Sequence, residues 1–132
     1  MCIRDLRIYS QGINGEVCHY RDETGLEVDA IITLPDGRWG AIEIKMGNRQ
    51  VDEAFDNLTK LKNKVDTDIM NPPSFLMVLT GGQYVFRDKS GILIVPISCL
   101  RDYTYIAVEI LSFRPIILKP CANLARLFEA IL

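Results

Sequence analysis

Gly25-Leu26-Glu27-Val28-Asp29-Ala30-Ile31-Ile32-Thr33-Leu34-Pro35-Asp36-Gly37-Arg38-Trp39-Gly40-Ala41-Ile42-Glu43-Ile44-Lys45 reads as two β-type runs joined by a turn. Pro, Asp and Gly at successive loop positions suit a three-residue hairpin, a type I turn followed by a left-handed residue. Leu34 then faces Arg38, which sets Asp29 against Glu43 and Glu27 against Lys45. Val28 opposite Ile44 and Ala30 opposite Ile42 make the other face apolar. A two-residue loop would set Asp29 against Ile44 and mix charge with core on both faces, so burial selects the longer turn.

Outward from this hairpin the pattern is α/β. Residues 2–9 suit a short helix with Ile3 and Leu6 on one side, and Glu16 to Arg21 suits a strand ending in a turn at Glu23-Thr24-Gly25. Val28, Ala30, Ile32 and Leu34 alternate along the second strand, and Ile42, Ile44 and Met46 along the third. Val51, Ala54, Phe55, Leu58, Leu61 and Val65 recur at helical spacing, with Asn48 as the expected N-cap and Asn71-Pro72-Pro73 as the stop. Phe75 to Thr80 is wholly apolar up to its last residue, the mark of a central strand buried on both faces. Tyr84 to Arg87 and Ile92 to Ile97 suit a hairpin around Asp88-Lys89-Ser90-Gly91. Tyr105 to Leu111 suits a further strand, and Ala122 to Leu132 an amphipathic helix.

Composition bounds the function. A length of 132 residues fits one domain, and 48% hydrophobic with 24% charged residues is ordinary for a globular chain. No apolar run reaches the roughly 18–20 residues of a bilayer span, and the first residues lack the pattern of a secretory signal, so the expected location is cytoplasmic. Cys2, Cys18, Cys99 and Cys121 form no C-x-x-C pair and His19 is the sole histidine, which argues for free thiols rather than zinc. A net charge of −2 leaves nucleic-acid binding to a local basic patch. Lys60, Lys62 and Lys64 with Arg49 and Lys45 offer such a rim, or simply a solvated helix end.

Chemistry concentrates at Asp29, Glu43 and Lys45. Two carboxylates opposed across a strand pair repel by up to ~1 kcal/mol, which a hard cation such as Mg²⁺ would offset. Lys45, two residues from Glu43 on the same face, can orient an attacking water or neutralise charge on a phosphate. The plainer reading stays open at this point: a Glu27–Lys45 ion pair on a wet strand face, with Asp29 and Glu43 exposed. Neither a phosphate-cradling loop nor a serine or cysteine nucleophile is recognisable.

Asp29 followed by Glu43-x-Lys45, across a hairpin and leading into a helix, resembles the PD-(D/E)XK nuclease superfamily. Asp5-Leu6-Arg7-Ile8-Tyr9, His19-Tyr20-Arg21-Asp22, Asp36-Gly37-Arg38-Trp39-Gly40, Asn57-Leu58 through Lys64, Pro73-Ser74-Phe75 through Thr80 and Val95-Pro96-Ile97 narrow the likeness. Together they resemble the uncharacterised domain C-terminal to the ATPase module of many prokaryotic AAA-type ATP-binding proteins, over about residues 2–100. The resemblance implies a mixed central sheet flanked by helices in a restriction-endonuclease-like core. It also implies catalytic Asp29, Glu43 and Lys45, and Mg²⁺ (with Mn²⁺ as substitute) on Asp29 and Glu43. DNA is the implied partner. The alternative is a catalytically inactive regulatory or protein-interaction domain that uses the nuclease fold as a scaffold.

Three departures accompany it. No G-x-x-x-x-G-K-[ST] motif is present, so the ATPase module is absent from this chain. The further acid that the superfamily takes from a helix before the first strand has only Asp5 or Glu16 to stand for it. Residues 101–132 form an atypical extension of the single 1–132 domain. A lost first helix would bare one sheet face, at ~25 cal/mol per Å² of apolar area, so a homodimer or a face covered by the tail is expected.

Overall fold

The computed structural model describes residues 2–47 and 50–100. Its elements run α1 (Cys2–Gln11), β1 (Glu16–Arg21), β2 (Glu27–Thr33), β3 (Trp39–Lys45), α2 (Val51–Lys64), β4 (Phe75–Thr80), β5 (Phe86–Arg87) and β6 (Leu93–Pro96), then a 3-10 turn at Ile97–Leu100. The strands form one six-stranded sheet in the order β1-β2-β3-β4-β6-β5. β1, β2 and β3 make an antiparallel meander. β3, β4 and β6 are parallel, and β5 returns antiparallel along β6 at the outer edge.

The expected turn forms. Gly37 lies at φ +86°, a conformation that costs glycine least, and Leu34 N–H donates to Arg38 O while Gly37 N–H donates to Leu34 O. Ala30 therefore opposes Ile42 and Thr33 opposes Trp39, the register that the turn dictates.

Each sheet face carries a helix. On one side Leu6 of α1 is fully buried against Ala30, Ile32, Ile42, Met77, Leu79 and Val95. On the other, Ala54, Leu58 and Leu61 of α2 pack on Val28, Trp39, Ala41, Leu76 and Val78. Alternate residues of β4 thus serve opposite cores, which is why that strand is apolar up to Thr80 and buried throughout. On the first of these faces the 10 residues of α1 bring Leu6 and a partly buried Ile3 onto the sheet.

Gly40 explains how closely β3 meets β4. A Cβ on it would stand 2.1 Å from the Phe75 ring, which fills that space. Trp39 beside it is buried, and its indole Nε1–H donates to Asn71 O at 2.6 Å, so the Asn71-Pro72-Pro73 stop is tied to the start of β3.

Some expectations need correction. Met46 is 69% exposed, because β3 ends at Lys45 and the alternating face ends with it. Gln50 occupies the position before α2 and makes no side-chain cap, whereas Asn48 lies outside the described residues. The strand and helix expected within residues 101–132, and the tail cover they would supply, also lie outside the described residues.

Candidate carboxylate–lysine site

A β-bulge sets the site. On β1, Cys18 opposes Ile31 and Tyr20 opposes Val28, so the single His19 faces two residues of β2, Asp29 and Ala30. The extra residue reverses the alternation. Val28 therefore joins the α2 side with Ile31, and the expected apolar pairing of Val28 with Ile44 does not occur. The regular ladder to β3 stops at Ala30–Ile42. Beyond it, Ile44 N–H donates to Asp29 Oδ2 at 2.7 Å, and the side chain supplies an acceptor to the strand backbone.

This turn of the chain brings the Asp29 carboxylate close enough to Glu43 for its charge to act on that carboxyl. Glu43 is only 1% exposed, on the face that α2 covers. Asn57 of α2 donates to Glu43 Oε1 at 3.3 Å, and Lys45 Nζ stands 3.3 Å from Glu43 Oε2. Burial and then the adjacent Asp29 carboxylate raise the Glu43 pKa to about 7, against the lowering pull of Lys45 and Asn57. Burial alone would lower the pKa of Lys45. The Glu43 charge and hydrogen bond, with Asp29 and Glu53 beyond, outweigh it and hold Lys45 above the ordinary lysine value.

The three residues read from the hairpin are thus brought together. Glu27 is not with them: it pairs with His19, whose Nε2 lies 3.1 Å from Glu27 Oε1, because the bulge turns the start of β2 toward β1. Neither proposed substitute for the helix acid reaches the cluster. Glu16 opposes Thr33 at the far end of β2, and Asp5 belongs to α1 on the opposite sheet face, beside Arg4. Lys64 is exposed, but its charge is already engaged rather than free for a basic rim. Its ammonium binds Asp22 and Thr24, which hold the Asp22 carboxyl far below the usual carboxylate range.

Asn57 is the residue that hairpin reasoning missed. It stands between Ala54 and Leu58 on the buried stripe of α2, and a polar residue at such a position is the available signal. Among the described residues, no group of three or more His, Cys, Asp or Glu side chains is arranged to hold a metal ion. No described helix is long and apolar enough to cross a membrane. Cys18 and Cys99 are free thiols.

Fold and site together define a mixed α/β domain with two neighbouring carboxyl groups and a lysine where β2, β3 and α2 converge. Compared with known families, residues 1–100 match the model of a domain of unknown function, DUF4143, and the chain belongs to that family. No curated protein and no solved structure matches it.

Proposed function

We propose that this domain is a metal-dependent phosphodiester hydrolase of the nuclease type, acting on DNA, with its site at Asp29, Glu43 and Lys45. The observation that carries the reading is the buried Glu43 carboxyl, with the Asp29 carboxylate beside it and Lys45 Nζ 3.3 Å away. Two like groups so close are held together at neutral pH by a shared proton or by a cation. The donors are hard carboxylate oxygens, a set that fits Mg²⁺ or Mn²⁺ rather than zinc. When bound there, such an ion would supply Lewis acidity at a phosphoryl oxygen.

The chain's own residues divide the remaining work in this reading. Lys45, part-buried with its side chain 19% exposed, offers an ammonium to the attacking water or to charge developing on the phosphate. Asn57 holds one Glu43 oxygen and so fixes the carboxyl plane. Ile44 N–H does the same for Asp29. Attachment to an AAA-type ATPase elsewhere in the parent protein belongs to the same proposal.

The second reading, an inactive scaffold, rests on both Glu43 oxygens already having protein partners and, among the described residues, on no third acid joining the pair. Cleavage of single-stranded, duplex and branched DNA with Mg²⁺ or Mn²⁺ decides between them. Hydrolysis reduced about 10²–10³-fold by Lys45→Ala, with Mn²⁺ binding by calorimetry lost in Asp29→Asn, supports the enzyme. No cleavage of any substrate and no heat of Mn²⁺ binding leaves only the scaffold.

A further inference from the structure

His19 stands at the one irregularity of the sheet that matters to the site, although it lies outside the carboxylate–lysine cluster. It is the residue of β1 that opposes both Asp29 and Ala30. Its ring spans the bulge: Nε2 lies 3.1 Å from Glu27 Oε1, and Nδ1 lies 3.4 Å from the backbone oxygen of Asp29. One side chain therefore touches β2 on both sides of Val28, the residue whose side the bulge reverses. Nothing in the packing of the two cores needs it, since the ring is about half exposed.

We propose that His19 is a positioning residue for Asp29, clamping the bulge so that the Asp29 carboxylate reaches Ile44 N–H and Glu43. A bulge is a local departure from regular pairing, and an unclamped strand can recover regular alternation by shifting one residue. During such a shift the Asp29 carboxylate leaves the Ile44 amide, which is then open to water. The clamp acts through the Asp29 backbone and leaves its carboxylate free for the site. The effect on Ile44 follows from the geometry alone. The effect on metal binding rests on the function proposed above.

The test compares wild type with His19→Ala and His19→Gln in the full chain, by amide hydrogen exchange and by calorimetry with Mn²⁺ alone. In His19→Ala, exchange of the Ile44 amide should rise about tenfold relative to Ile42, which sits in the regular ladder, with the melting temperature nearly unchanged. Mn²⁺ affinity should fall about tenfold, as for loss of an outer partner of a metal ligand. His19→Gln keeps a donor at this position and should restore part of both. Glu27→Gln, which weakens the other side of the clamp, should raise Ile44 exchange to a smaller extent. An Ile44 amide that exchanges as in wild type in both His19 variants overturns the proposal, whatever the metal does. An Ile44 amide that responds in a chain that binds no Mn²⁺ upholds the clamp and removes the metal reading instead.

Discussion

At Glu43 a carboxyl is almost wholly withdrawn from water beside a second carboxyl, and its proton is held up to a pKa of about 7 from an ordinary value of 4.5. A proton bound more tightly in the folded chain than in the unfolded one stabilises the fold in acid. That contribution is complete below about pH 4.5 and is lost as the pH rises through about 7. Urea unfolding of the metal-free chain at pH 5, 6, 7 and 8 should show stability falling by up to roughly 3 kcal/mol across this window. Glu43→Gln, which has no proton to lose, should flatten that part of the profile. A wild-type profile that is level or rising from pH 5 to 8 would contradict the burial of this carboxyl. Millimolar Mn²⁺ should reverse the wild-type trend at pH 8 if the site takes the ion, since a ligand bound only by the folded state adds to its stability.

Elements are fixed here by two glycines that act for different reasons. Gly37 closes the β2–β3 turn at φ +86°, so Gly37→Ala should cost about 1 kcal/mol through backbone strain, read as a lower urea midpoint at constant slope. Gly40 has no such torsion. Its role is space, because the buried Phe75 ring occupies the position of a Cβ. Gly40→Ala should therefore cost roughly 1–3 kcal/mol by overpacking, and Phe75→Leu in the same chain should recover part of the loss. No recovery in the double variant would show that the two positions do not share that space. The turn thus sets which residues of β2 and β3 oppose one another, and the absent Cβ sets how near β4 can approach behind them.

For the whole molecule, the decisive arrangement is one helix on each side of the sheet, with the site on the α2 side. Leu6 is fully buried and is the main anchor of α1, so Leu6→Ala should destabilise the chain by about 2–5 kcal/mol in urea unfolding. A loss under about 0.5 kcal/mol would mean that α1 does not cover that face. If the proposed function holds, Mn²⁺ binding by the variant where it is still folded should change little, because the sheet stands between Leu6 and the carboxylates. On the other side Lys64 binds Asp22 and Thr24 and joins the end of α2 to the β1–β2 turn. Together with the Asn57–Glu43 bond, this gives α2 two polar attachments to the meander besides its apolar stripe.

Sequence alone determined what depends on neighbours along the chain. Pro35-Asp36-Gly37 dictates its own turn, and the turn dictates the opposition of Ala30 to Ile42 and Thr33 to Trp39. Residues at helical spacing from Val51 place α2, and the apolar run from Phe75 places β4 in the sheet interior. The candidate residues Asp29, Glu43 and Lys45 were legible for the same reason, because one hairpin carries all three. Only the tertiary structure decided how they meet. The bulge opposite His19 depends on a strand that the hairpin pattern does not contain, and it reverses Val28, parts Glu27 from Lys45 and aims Asp29 at a backbone amide. Asn57 reaches Glu43 because α2 packs across the sheet, and the pKa of Glu43 follows from the water that packing excludes. Local pattern fixes register and alternation, whereas desolvation and cross-element contacts exist only once the sheet and its helices have closed on one another.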